Sequence, residues 1–261
     1  MGEKDPVVLE KDGPIGYITL NRPEKRNALS LEVMKRIIAI LEALKEDPSV
    51  RVLIIRGRGP AFCAGHDLTE LTGGGDRVHR FREIFGICSE MMYGIHRIPQ
   101  PVIAQVHGIA TAAGCQLVAA CDLAVAERGA RFATPGVKIG LFCTTPMVPL
   151  VRVVGRRRAM EMLLTGRFIS AEEALEWGLV NRVVAPENLE EETLKLAHEI
   201  AQYSRATIAL GKKAFYDQID LPEYSAYGYA REIISLNGTF DDAAEGISAF
   251  LEKRKPLWKD S

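Results

Sequence analysis

Three observations predict an α/β chain with a helical C-terminal region. Short runs rich in Val and Ile alternate with longer segments of helical period, the pattern of buried strands covered by helices. After about residue 170 the pattern turns to nearly continuous helix. The length, 261 residues with 47% hydrophobic and 26% charged content, suits one domain with a substantial core and a helical appendage.

The elements follow in order. Ile15 to Leu20 reads as a strand, and Ser30 to Lys45 as a helix with Ser30 at its N-cap and Glu32 in its first turn. Its apolar positions Leu31, Met34, Ile37, Ile38, Leu41 and Leu44 keep helical spacing. Val52 to Arg56, Val102 to Val106 and Leu123 to Ala126 read as further strands, with a helix over Arg80 to Ile98. The tail reads as helices over Ala171 to Trp177, Asn188 to Tyr203, Arg205 to Ile219, Pro222 to Leu236 and Asp241 to Arg254. The run Thr72 to Asp76, with Gly73, Gly74 and Gly75, reads as a mobile loop or lid, and Arg156 to Arg158 as a solvated helix face.

Composition excludes several functions. Thirty-three basic residues against 34 acidic leave a net charge of −1, without the basic excess of a nucleic-acid binder. Five cysteines with no CxxC pair argue against a disulfide framework and a zinc site, and point to a reducing compartment. No apolar run approaches a membrane span, and Met1 to Val8 reads as neither a secretory signal nor an Arg-rich transit peptide. A cytoplasmic protein is the expectation.

Chemistry is expected where strands end in loops that lead to helices. In Ala61-Phe62-Cys63-Ala64-Gly65-His66-Asp67-Leu68, small residues let free backbone N–H groups approach an anion or a polarised carbonyl. In Gly108-Ile109-Ala110-Thr111-Ala112-Ala113-Gly114 a strand passes into a helix whose first N–H groups carry the positive end of its dipole.

Together these segments resemble the crotonases, the enoyl-CoA hydratase/isomerase family. Asn21 to Leu29 resembles the family's opening motif, and Ala61 to Leu68 its F-C-A-G-x-D-L segment. Thr165-Gly166, Ile169 to Ala171 and Gly178-Leu179-Val180 resemble its middle, and Ala249 to Pro256 its last helix. The resemblance implies a spiral of strand-strand-helix turns over residues 1–200. Residues 201–261 would form helices that pack homotrimers, often paired as hexamers, and help cover coenzyme A. It also implies an acyl-CoA substrate, with coenzyme A as part of that substrate, no permanently bound cofactor and no metal. The shared chemistry is a thioester oxyanion hole, here the backbone N–H groups of His66 and Ala113, with Gly114 beside the latter. One such donor is worth about 3 to 4 kcal/mol in the transition state. Coenzyme A contacts map to Lys25, Arg26 and Ala28, to Ala64, Asp67 and Leu68, and to Phe250 and Lys253.

The departures from the family pattern are as informative. The two glutamates that activate water in a hydratase of this family correspond to Gln116 and Gly136. Gln116 holds a water but takes no proton near neutral pH, and Gly136 does neither. Each general acid or base contributes roughly 100- to 10,000-fold, so ordinary hydration is expected to be slow. The segments Ala110 to Ala119, Phe132 to Val137 and Gly140 to Cys143 resemble one branch, the enoyl-CoA hydratase domain-containing protein 3 branch, which shares both replacements. His66 is the remaining titratable group at the hole, and its ordinary pKa of about 6.5 suits proton transfer. The A-G-H-D segment also resembles methylmalonyl-CoA decarboxylases of the superfamily. Three readings therefore stand: a hydratase-like lyase, a malonyl-type decarboxylase using His66, and an acyl-CoA-binding protein that has lost catalysis. Cys115 and Cys143 read as packing residues.

Overall fold

The computed structural model describes residues 5–72 and 75–261. Gly73 and Gly74, the centre of the expected lid, lie outside the described residues. In chain order the strands are β1 (Val7–Asp12), β2 (Ile15–Leu20), β3 (Val52–Gly57), β4 (Val102–Val106) and β5 (Ile109–Thr111), then β6 (Leu123–Glu127), β7 (Arg131–Ala133), β8 (Ile169–Ser170) and β9 (Arg182–Val184). The helices α1 (Leu31–Lys45), α2 (Leu68–Leu71), α3 (Arg77–Arg97) and α4 (Ala113–Ala120) lie among the first strands. They are followed by α5 (Met147–Val154), α6 (Arg156–Thr165), α7 (Ala171–Trp177) and α8 (Leu189–Ala201). The C-terminal region holds α9 (Arg205–Gln218), α10 (Glu223–Asn237) and α11 (Asp241–Glu252).

One sheet runs β1-β2-β3-β4-β6-β9 and a second runs β5-β7-β8. The pairs β2-β3, β3-β4, β4-β6 and β6-β9 are all parallel, each reached through a crossover. The four strands expected from the sequence, β2, β3, β4 and β6, are the adjacent centre of this sheet. They were legible because they are apolar on both faces. In β3, Leu53 and Ile55 pack toward the helices α1, α3 and α4, whereas Val52 and Ile54 pack with Leu189 and Ala197 of α8. Ser30 caps α1 as expected, its hydroxyl accepting from the Val33 N–H at 3.3 Å.

The short strands β5, β7, β8 and β9, the edge strand β1 and the helices α2 and α5 went unread in the sequence, and of α6 only the helix face at Arg156 to Arg158 was read. β1 pairs with β2 only, and its burial fades from Val7 to an exposed Glu10-Lys11-Asp12 end, so its composition carries little strand signal. Arg156 and Arg157 are exposed at the start of α6, while Arg158 leans on Trp177 and Glu176.

The C-terminal helices are held at the N-terminal ends of the central strands. Lys212 of α9 reaches the Ile95 and Gln100 carbonyls and Asp122, at 2.8, 2.9 and 2.6 Å. Asp122 also accepts from the Val102 N–H at the start of β4 and from the Tyr216 hydroxyl. The last residues join the same end through Arg51–Asp260, at 2.5 Å.

Candidate active site

Three loops meet at the opposite end of the sheet. Asn27 organises the first, because its side chain is buried and fully used. Its Nδ2 donates to the Arg58 and Ala61 carbonyls at 2.9 and 2.7 Å, and its Oδ1 accepts from the Arg22 N–H. Asn27 and Arg26 both take the left-handed conformation, φ 56° and 50°, which turns the chain sharply into Ala28 and Leu29. That turn sets the second loop beside it. The Ala64 N–H donates to the Arg26 carbonyl at 3.0 Å, the Leu29 N–H to Gly65 at 2.7 Å, and the Asp67 N–H to Leu29 at 3.0 Å. His66 is thus bridged to Leu29 as in a parallel ladder, in which the neighbours bond and the His66 N–H points to the other side.

On that other side stands the start of α4. A β-carbon on Gly65 would lie 3.0 Å from Ala112 Cβ and 3.5 Å from the Ala113 nitrogen, and Gly65 itself has φ +97°. Only glycine meets both conditions. Ala112 is held in a rare conformation, φ 50° and ψ −116°, by its N–H bond to Ala133 O and the bond from Thr111 N to Cys63 O. Backbone of this kind costs on the order of 1–3 kcal/mol and concentrates at functional sites. The strain turns the chain from β5 into α4 so that Ala113 opens the helix, where an N–H has no intrahelical acceptor. Among the described residues, no group accepts from the backbone N–H of His66 or of Ala113. Gly114 has a packing role: a β-carbon there would stand 2.1 Å from Cys63 O.

The side chains of His66 and Gln116, near these two N–H groups, are uncharged. The His66 imidazole packs edge-to-face on Phe85, ring centroids 5.1 Å apart, and both its ring nitrogens are buried with no hydrogen-bond partner among the described residues. Burial pushes its pKa down to about 4, against a weaker opposing pull from the Leu29 backbone. This corrects the expectation of a proton-transfer group near pH 6.5: at neutral pH the ring is a neutral imidazole. Gln116 lies one turn into α4, is 3% exposed, and its Oε1 takes a long contact from Cys88 Sγ at 3.9 Å.

Gly136 lies in the 3-10 turn Pro135–Ile139 that follows β7, and β7 is paired in parallel with β5. Its N–H donates to Cys143 Sγ at 3.3 Å, and a β-carbon would meet Leu141 O at 2.4 Å and Cys143 Sγ at 2.8 Å. The space a side chain would need here is therefore filled by backbone and thiol. Cys115 and Cys143 are buried, and burial raises both thiols, Cys115 to about 12.

Of the residues expected to contact coenzyme A, Lys25, Arg26, Ala28, Ala64, Asp67 and Leu68 gather around the same loops. Lys25 and Arg26 are exposed. Asp67 is committed otherwise: its carboxylate caps α2 through the Thr69 N–H and hydroxyl and pairs with Arg22 at 3.1 Å, which together hold its pKa low. Its side chain is a brace for the loop. Leu68 is half-exposed beside it.

The structure does not bring Phe250 and Lys253 to the hole within this chain, because α11 is tied elsewhere. Asp242 accepts from the Lys259 and Asp260 N–H groups, Asp260 pairs with Arg51, and Trp258 bonds the Gln202 carbonyl. Phe250 is 83% exposed. Sequence reasoning missed Asn27, although it lies inside the quoted opening motif, and it missed Phe85, which only the approach of α3 to the His66 loop brings in. Among the described residues no group of three His, Cys, Asp or Glu side chains can hold a metal ion, and no helix is long and apolar enough to cross a membrane.

Parallel strands wound with crossover helices, a second short sheet and a helical C-terminal region make this the crotonase fold. The chain belongs to the enoyl-CoA hydratase/isomerase family, whose model matches residues 10–261. It is 49% identical over 249 residues to the mitochondrial enoyl-CoA hydratase domain-containing protein 3 of Rattus norvegicus, covering 95% of this chain and 82% of the rat protein. A crystal structure of the human enoyl-CoA hydratase domain-containing protein 3 superposes with a TM-score of 0.94 at 46% identity, covering 97% of this chain and all (100%) of that one. A crystal structure of an enoyl-CoA hydratase from Mycobacterium smegmatis superposes with a TM-score of 0.95 at 48% identity, over 98% of this chain and 99% of that one. The rat relative and its counterparts in mouse, zebrafish and human are all named mitochondrial, which overturns the cytoplasmic expectation.

Proposed function

We propose that this protein binds acyl-CoA thioesters and polarises the thioester carbonyl between the backbone N–H groups of His66 and Ala113, stabilising the enolate that develops there. One observation carries the reading: Gly65, held at φ +97° where glycine is favoured, packs against Ala112 and Ala113, so the loop that carries the unpaired His66 N–H lies against the start of α4, where the Ala113 N–H is also unpaired. Donors fixed before the reaction act strongly in a water-poor site, and the α4 dipole adds positive potential. Exposed Lys25 and Arg26 lie beside the loop for the phosphates of coenzyme A. The names of the relatives, all enoyl-CoA hydratase-like, support the same substrate class.

The reaction is of the hydratase-like lyase type, with Gln116 orienting a water and no carboxylate to activate it. Its rate with crotonyl-CoA is accordingly low. Phe250 and Lys253, exposed and tied far from their own hole, serve the site of a neighbouring copy in a homotrimer or homohexamer. Calorimetric titration with acetyl-CoA and turnover of crotonyl-CoA test the proposal. Binding with slow turnover is the expected result; binding without any turnover leaves a binding protein, and no binding removes the proposal altogether.

The neutrality of His66 and Gln116 also favours a second reaction, loss of carbon dioxide from a malonyl-type acyl-CoA. A neutral His66 and Gln116 place no negative charge against the departing carboxylate, and an uncharged, buried site raises the energy of that carboxylate relative to the enolate. Release of carbon dioxide from methylmalonyl-CoA, measured beside crotonyl-CoA hydration, separates the two.

A further inference from the structure

The side chains next to the two hole amides form a closed circuit. His66 supplies one amide and its ring packs on Phe85, at 5.1 Å and 88° between ring planes. Phe85 and Cys88 are three residues apart on α3 and so share a face. Cys88 touches Gln116 at 3.9 Å, and Gln116 shares a face of α4 with Ala113, which supplies the other amide. Starting at one donor, the contacts return to the other.

An acyl group held at the two amides would be carried against these side chains, which are tightly packed. Cys88 and Ala113 are 0% exposed, Gln116 is 3% exposed, and both His66 ring nitrogens are out of reach of solvent. Phe81 backs Phe85, ring centroids 5.6 Å apart. Of these side chains Phe85 is the bulkiest, and like His66 it is only partly buried, whereas Cys88 and Gln116 are buried. We infer that Phe85 sets the acyl-chain length this protein accepts, restricting the site to short acyl thioesters. The inference rests on the placement of the thioester at His66 and Ala113.

Calorimetry across acetyl-, butyryl-, hexanoyl- and decanoyl-CoA tests it with the full chain. An open apolar pocket gains roughly fourfold in affinity for each added methylene it buries. The unmodified protein should show no such gain beyond butyryl-CoA and a fall by decanoyl-CoA. In Phe85→Ala, and less strongly in Phe85→Leu, the ratio of hexanoyl- to acetyl-CoA affinity should rise at least tenfold, with circular dichroism confirming the native fold. Should Phe85→Ala not fold, the Phe85→Leu ratio and the chain-length series on the unmodified protein decide. A steady rise in affinity up to decanoyl-CoA in the unmodified protein, or a ratio unmoved by both substitutions, overturns the inference. Failure of all four thioesters to bind overturns instead the reading of the hole.

Discussion

The Gly136 N–H donates to Cys143 Sγ at 3.3 Å, and with Leu141 O this thiol occupies the position a side chain at 136 would need. If the family resemblance places a hydratase's second glutamate at 136, the structure there offers no room for one. The surrounding loop has closed on the glycine.

The first prediction reverses what the sequence suggests. From motifs alone, Gln116→Glu with Gly136→Glu looks like a restoration of hydratase machinery. A β-carbon 2.4 Å from Leu141 O requires the 141–143 backbone to move, so Gly136→Glu should lower stability by about 1–3 kcal/mol, in the range of overpacking. Crotonyl-CoA hydration by the double variant should stay at or below that of the unmodified protein. A large gain in rate with an unchanged urea midpoint would contradict this.

Gly65→Ala addresses the hole directly. The φ of +97° strains any alanine, and its methyl would press on Ala112 and Thr111 O, each 3.0 Å away. A cost of about 1–3 kcal/mol is expected from the backbone alone. Because pushing Ala112 and Thr111 away also shifts the start of α4 and its Ala113 N–H, thioester affinity should drop beyond any change in the fraction folded, while coenzyme A without an acyl group should bind almost as before. Equal losses for both ligands would argue against the hole.

His66 predicts a pH dependence whose sign follows from its low pKa. Its folded pKa is about 4 and its ordinary value 6.5, so between these the unfolded chain binds the extra proton and stability rises with pH. Above about pH 6.5 the residue costs nothing; below about pH 4 the full penalty applies, on the order of 3 kcal/mol. Comparing chemical denaturation of the unmodified protein with His66→Gln from pH 4 to 7 isolates this slope. Identical profiles would place the ring in water.

Lys212 predicts the fate of the C-terminal helices. Its ammonium is 7% exposed and fully bonded, so Lys212→Met leaves Asp122 buried without its cation. Removing one partner of such a pair costs about 3–5 kcal/mol. Adding Asp122→Asn should recover part of that loss in urea denaturation. No difference between the single and double variants would make the pair an exposed one.

The sequence by itself determined the buried centre of this protein and the close backbone approaches of the proposed site. Strands such as Val52–Gly57 are apolar on both faces, and small residues at Gly65 and Gly114 mark places where backbones touch, so composition along the chain carries that information locally. Tertiary structure alone decided the rest. The neutrality of His66 depends on its burial in the folded chain, where its ring packs on Phe85 of α3, nineteen positions away, and the closure at Gly136 depends on how the chain returns at Leu141 and Cys143. It also decided that Phe250 lies away from its own hole, since Asp260 fastens that end of the chain to Arg51. Desolvation, close packing and long-range ion pairs depend on which segments meet in space, and residue order along the chain does not state that.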